Sequence, residues 1–198
     1  MPRITLSIIF LHLILTYHAP VINLVIIPYP LMHVPFGHKQ PAVLCVLKHA
    51  DQFLLLKRKK EPNAGMYTPV GGKIDPFESP RDAALRETFE ETGLKVGDAK
   101  YCGVLVDSSP TKYNWICFVY LAEIDPVPPP PCNEGTLEWI PAPELLGVPT
   151  PPTDYYIYEY VLAERPFMLS ADYDEALRMT ALREEIEGIT LVEAPAQP

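Results

Sequence analysis

The stretch GGKIDPFESPRDAALRETFEETGL, Gly71 to Leu94, decides how the rest of the chain is read. Ser79 stands as a helix N-cap with an acid, Asp82, three residues on, and Pro80 takes the first helical position, where a missing N–H costs nothing. Gly93 closes the segment as a left-handed C-terminal residue. The helix so bounded carries Glu87, Glu90 and Glu91 within about 100° of one another, so three carboxylates share one face. Like charges at i,i+4 cost about 0.2–0.5 kcal/mol each, and nothing cationic is expected on that face to offset them. A metal ion would. Ala83 and Ala84 fall on the same stripe one turn earlier and leave room for ions and substrate, while Leu85, Thr88, Phe89 and Thr92 lie opposite and are expected to pack on a sheet. Ligands that are all oxygen point to Mg2+ or Mn2+, not zinc. The competing reading is an acidic helix that faces solvent, as most charge runs do. The glycine pair, the small residues and the strong N-cap favour the metal site.

Upstream of this helix, Ala42–Leu47 and Phe53–Leu56 flank the polar KHADQ and predict a β-hairpin. Lys57, Arg58, Lys59 and Lys60 follow; a solvated strand end accounts for most of them, and Arg58 is the one that could face substrate phosphates. A loop with Pro62, Asn63 and Gly65 leads to a short strand, Met66–Val70, and then to Gly71 and Gly72. Downstream, strands are predicted at Tyr101–Val106, Trp115–Ile124 and Thr136–Ile140, with Pro126–Pro131 as a stiff extended loop. A helix is expected from about Thr153 to Ala163. Another is expected over Asp172–Glu187, where Ala176, Met179, Leu182 and Ile186 line one face and Gly188 ends it. Strands and helices interleaved without regular βαβ spacing give an α/β fold with a mixed sheet and helices on both faces.

The chain has 198 residues, 48% of them apolar and 21% charged, which fits one core plus an appendage and excludes a wholly disordered polymer. The 24 prolines predict long proline-marked loops. A formal charge of -9 argues against binding nucleic acid polymers, yet it allows small phosphorylated ligands bridged through divalent cations. Cys45, Cys102, Cys117 and Cys132 show no CxxC spacing and read as reduced thiols of a cytoplasmic protein. Between Arg3 and Lys39 there is no Asp, Glu, Lys or Arg, and four of the five histidines fall there. Residues 1–39 therefore read as an apolar extension outside the functional fold, with Met32 an alternative start. Pro20, Pro28 and Pro30 interrupt the apolar run, so a membrane anchor is not favoured. Residues 40–190 form the expected domain and 191–198 a tail.

The central segment resembles the signature of the Nudix hydrolases, G-x5-E-x7-R-E-U-x-E-E-x-G-U, where U is a bulky aliphatic. Gly72, Glu78, Arg86, Glu87, Glu90, Glu91, Gly93 and Leu94 match, and Thr88 departs at the first aliphatic position. The resemblance implies a Nudix-type α/β/α sandwich and hydrolysis of a nucleoside diphosphate linked to another group. It further implies Glu87, Glu90 and Glu91 as Mg2+ ligands with the Gly71 carbonyl, Arg86 as the partner that orients Glu87, and Glu78 as a brace for Arg86. Lys73 would lie near the phosphates. Many members carry Pro directly before the two glycines; here Val70 stands there and Pro69 is displaced by one.

Gly71-Gly72-Lys73 and the pattern Glu134-Gly135 to Glu138-Trp139 resemble the mutator-type pyrophosphatases that act on 8-oxo-dGTP. That resemblance assigns Glu134, with Glu138 second, to metal binding or water activation. It also puts Asp154, at the entry to the late helix, where relatives read the purine edge; a helix-end acid is the equal alternative. The competing functions are hydrolysis of ADP-ribose or another nucleoside diphosphate derivative, and a non-catalytic nucleotide sensor. A branch that isomerises prenyl diphosphates uses a cysteine, whereas Cys45, Cys102 and Cys117 lie in strand-like apolar runs.

Overall fold

The computed structural model describes residues 37–193. The expectations for the apolar extension up to residue 36, the alternative start at Met32 included, and for residues 194–198 lie outside the described residues. Strands β1 (Gln40–His49) and β2 (Gln52–Arg58) form the predicted hairpin, with only Ala50 and Asp51 between them. The expected single strand Met66–Val70 is instead two, β3 (Tyr67–Thr68) and β4 (Val70–Lys73). Pro69 separates them because it has no N–H to give a ladder. β3 pairs with β2 through Leu56 and Lys57, whereas β4 pairs with β1 over Ala42–Cys45. The glycine pair thus lies inside a strand and not after one.

Helix α1 (Pro80–Thr92) is bounded as the caps predict. The Ser79 hydroxyl accepts the Asp82 N–H at 3.2 Å, and Gly93 closes the helix at φ 72°. β5 (Lys100–Ser108), β6 (Trp115–Glu123) and β7 (Gly135–Pro141) follow, then a 3-10 turn at Ala142–Gly147 and helix α2 (Pro152–Leu162). The proline stretch before β7 is tied to it where the Trp139 indole donates to the Val127 carbonyl at 2.8 Å.

The helix expected over Asp172–Glu187 does not form. That region contains β8 (Phe167–Tyr173), β9 (Met179–Glu184) and β10 (Ile189–Glu193). β8 runs parallel to β5, and the three strands extend the sheet as a meander. Asp174 forms the tight turn to β9: its carboxylate accepts the N–H groups of Ala176 and Arg178, both at 2.9 Å, with Leu177 left-handed at φ 57°. Alternation wins over the helical spacing because the open edge of β5 takes up a paired strand, and Leu182 and Glu184 then turn inward together. Gly188, at φ 68°, is a hairpin turn and not a helix cap. Leu191–Glu193, expected in the tail, belong to β10.

The sheet has ten strands in the order β10-β9-β8-β5-β6-β1-β2-β3, with β4 added on β1 and β7 on β2. It is mixed, since β1–β6 and β5–β8 are parallel. Alternate residues of β1 bury opposite faces. Val43, Cys45 and Leu47 share a core with Ala83 and Ala84 of α1, whereas Ala42 and Val46 share one with Ile157, Tyr158 and Val161 of α2. One helix covers each face, which makes this an α/β/α sandwich.

Candidate active site

Helix α1 and strand β4 meet at Gly72, where no side chain separates them, while Gly71 lets β4 lie close against β1. A Cβ on Gly72 would overlap the Glu87 carboxylate, and one on Gly71 would overlap the Val43 carbonyl. Glu87 therefore lies flat against β4. Glu91, one turn on, accepts the Gly71 N–H at 3.3 Å. Arg86 is the cation that the helical wheel did not credit to this face. Its guanidinium donates to Glu78 twice and to Glu87, each at 2.8 Å, to the Lys73 carbonyl at 3.0 Å and to Glu90 at 3.2 Å. Fork geometry lets one Arg hold three carboxylates and a carbonyl together, and Arg86 in turn holds the Glu78 carboxyl below its usual range.

Two details of the wheel need correction. Ala83 and Ala84 are fully buried under the sheet and leave no open room for ions, while Phe89 is 48% exposed with the Lys95 ammonium 5.9 Å from its ring centre. The buried stripe of α1 runs through Ala84, Thr88 and Thr92, and Phe89 falls beside it. Thr88 fits a position that favours an aliphatic because its hydroxyl donates to the Ala84 carbonyl at 2.7 Å, within the helix, so no polar group is left unpaired in the core.

Among the described residues, no three acidic, histidine or cysteine side chains already converge as a metal cage. Charge explains this, since Arg86 pulls Glu87 and Glu90 to itself and Glu91 turns to a backbone N–H. The donors nevertheless suit a hard divalent cation. Glu91 is pushed up to about 7 by burial and by the nearby Glu87 and Glu134 charges, against the Gly71 N–H and Arg58, which act the other way. A cation is what such a carboxylate lacks.

Glu134, just before β7, pairs with Lys60 at 2.8 Å, which keeps its carboxyl below the ordinary range. Glu138 is on the opposite side of the sheet: its strand partner Leu55 belongs to the α2 core, and it accepts the Tyr67 hydroxyl at 2.7 Å. Arg58 donates to the Pro62 carbonyl at 3.1 Å, and its charge is felt by both Glu91 and Asp154. Lys73 pairs with Ala42 in the β4–β1 ladder and so shares the α2 face, where its ammonium is 6.0 Å from the Trp115 ring.

Asp154 lies in the first turn of α2 but caps nothing, since Pro151 is the N-cap and no side chain bonds there. It is 6% exposed, and burial, then the Asp107 charge, push its carboxyl up to about 8. At neutral pH it is largely protonated and can donate. Sequence reasoning missed Asp107 and the rings around it: Tyr113 stands edge-on to Trp115 at 6.3 Å and to Tyr173 at 5.5 Å. The alternation of β5 could have placed Asp107 inward with Leu105, had an acid been allowed at a core position.

The profile of the NUDIX domain matches residues 38–161. The chain belongs to the Nudix family. An uncharacterized Nudix hydrolase of Bacillus subtilis, YvcI, is 29% identical over 123 residues, 60% of this chain and 76% of that protein. A candidate 8-oxo-dGTP diphosphatase of Bacillus subtilis is 40% identical over 67 residues, 34% of this chain and only 43% of its own length. The crystal structure of a mutator MutT protein from Bacillus halodurans matches with a TM-score of 0.66 and 26% identity, over 74% of this chain and 98% of that one. No helix among the described residues is long and apolar enough to cross a membrane.

Two expected results follow from these groups. Burial raises Asp107 to about 6, and Asp154 reaches about 8. A carboxyl raised on folding stabilises fully below its unfolded value near 4, and that contribution is lost as pH rises through the folded value. Metal-free protein should therefore lose thermal stability between about pH 4 and 8. Asp154→Asn should flatten the upper part of the curve; a melting temperature that does not change over this range would contradict both shifts. The other result concerns Phe77, third residue of the turn closed by the Glu78 N–H on the Asp75 carbonyl at 3.2 Å. It is left-handed at φ 68° and wholly exposed, so it bears backbone strain without gaining burial. Phe77→Gly should stabilise by about 0.5–1 kcal/mol after the added freedom of the unfolded glycine is subtracted. Denaturant melts would read the gain.

Proposed function

We propose that this chain hydrolyses a nucleoside triphosphate to nucleoside monophosphate and pyrophosphate with Mg2+, for which Mn2+ can substitute, and that an oxidised guanine nucleotide such as 8-oxo-dGTP is its substrate. The observation that carries the reading is Asp154, a buried carboxyl protonated at neutral pH, with Arg58 felt from both it and Glu91. The similarity to a candidate 8-oxo-dGTP diphosphatase supports it over one third of the chain.

Glu87, Glu90 and Glu91, with the Gly71 carbonyl, would hold the ion. When bound, it neutralises phosphate charge and activates a water. Arg86 keeps Glu87 oriented, braced by Glu78. Gly72 leaves space for that carboxylate and Gly93 ends the helix on which all three acids stand. Glu134, ionised by Lys60, is the carboxylate to accept the water proton. Lys73 and Arg58 bind phosphate oxygens, and Asp154 meets the base. The partner is a small nucleotide and not a nucleic acid polymer. Four unpaired cysteines suit a reducing compartment and support a cytoplasmic setting.

A panel of nucleotides with Mg2+, among them 8-oxo-dGTP, dGTP, dCTP and ADP-ribose, tests the proposal by following pyrophosphate and mononucleotide release. Pyrophosphate from a guanine triphosphate is expected; turnover of ADP-ribose alone would refute it. Asp154→Ala should lower kcat/KM for the preferred guanine nucleotide by roughly five- to a hundredfold, as expected for one buried polar contact, and leave dCTP nearly unchanged.

A further inference from the structure

We infer that Asp107 is a second base-contacting carboxyl, and that with Asp154 it selects a ligand edge offering two neighbouring N–H donors. This deepens the proposed function and rests on its reading of Asp154 as the residue that meets the base.

Asp107 is near the end of β5, paired with Trp115 of β6 and Ala171 of β8. It points to the α2 face with Leu105 and is 2% exposed. One of its carboxylate oxygens is buried without any hydrogen-bond partner. Lys39 does not supply one, since its ammonium is used on the Asp107 carbonyl at 2.7 Å and the Ser108 hydroxyl at 2.8 Å. The Tyr173 hydroxyl stands between the Asp107 carboxyl and Thr153, the neighbour of Asp154. Two buried acids, from β5 and from the first turn of α2, thus lie close enough to feel each other's charge, with Lys39 acting on Asp107 and Arg58 on Asp154. A buried carboxylate oxygen without a partner is costly, so a fold keeps Asp107 in this state where something else completes its bonding.

The surroundings say what completes it. Tyr113 and Trp115 present ring surfaces beside the acids, and Lys73, two positions after Gly71, reaches Trp115 from the catalytic strand. Rings with acids at their edge suit a planar heterocycle that stacks and donates. A guanine-type edge has a ring N–H next to an amino group, followed by a carbonyl. One ionised carboxylate accepts from the first two, and a protonated one donates to the carbonyl. Cytosine offers one donor group, and adenine places a lone pair where the second N–H is needed.

Asp107→Asn keeps the volume and removes the charge. It is expected to lower kcat/KM for 8-oxo-dGTP and dGTP at least tenfold, to change dCTP less than twofold, and to leave the melting temperature equal or higher. In unaltered protein without metal, the Asp107 carboxyl carbon, followed by NMR, should shift on adding dGMP and not on adding dCMP. Equal losses on both bases, or a carboxyl signal that ignores both, would overturn the role of Asp107 while leaving a guanine preference intact. Unaltered protein that hydrolyses dGTP and dCTP alike would instead remove the base reading itself. Quenching of the same signal by Mn2+ alone, with no response to dGMP, would make the pair a cation site and overturn the proposal.

Discussion

Glu91→Gln and Glu90→Gln should each lower Mg2+-dependent hydrolysis by roughly a hundredfold or more, because each takes one hard anionic ligand from the candidate metal site. The two variants differ in what they do to the empty fold. Glu91 is held against the Gly71 N–H, and burial already opposes its ionisation, so the amide should leave the metal-free protein equally stable or more so at pH 8. Glu90 is mostly exposed and touches only Arg86, so its replacement should be neutral. Retained melting with lost turnover identifies ligands; near-normal rates in both variants would remove the site.

Arg86→Lys is expected to be the most damaging single change to the fold around the site. One ammonium cannot make the forked bonds that reach Glu78, Glu87 and the Lys73 carbonyl together. The carboxylates of Glu78 and Glu87 are largely covered, and leaving them underpaired should cost about 2–4 kcal/mol. Turnover should fall at least tenfold as well, since Glu87 loses its orientation. Urea melts and single-turnover rates on the same preparation separate the two losses. A variant that melts normally and has full activity would show that Glu87 is held by β4 alone.

The parts of this fold that could be read from the chain are those that local chemistry specifies. Ser79, Pro80 and Gly93 bound α1 without help from elsewhere, and the carboxylate spacing follows from the helix. The β8–β10 edge of the sheet was harder because its strands depend on distant partners. Ala176, Met179, Leu182 and Ile186 satisfy a helical period, yet β8 and β9 form because β5 has an open edge to pair. The site divides in the same way. Arg86 sits beside Glu87 in sequence and eight residues after Glu78, so the motif carries them. Asp107 and Asp154 are 47 residues apart and come together only through the β5–β8 pairing and the seating of α2.

Strand β4 is four residues long, and its neighbouring glycine and lysine look in opposite directions, Gly72 toward α1 and Lys73 toward α2. Parity along one strand therefore assigns Gly72 to the carboxylates of α1 and Lys73 to the α2 layer. A shift of β4 by one place against β1 would exchange both assignments at once. The two halves of the site share a single ruler, and neither can be moved without the other.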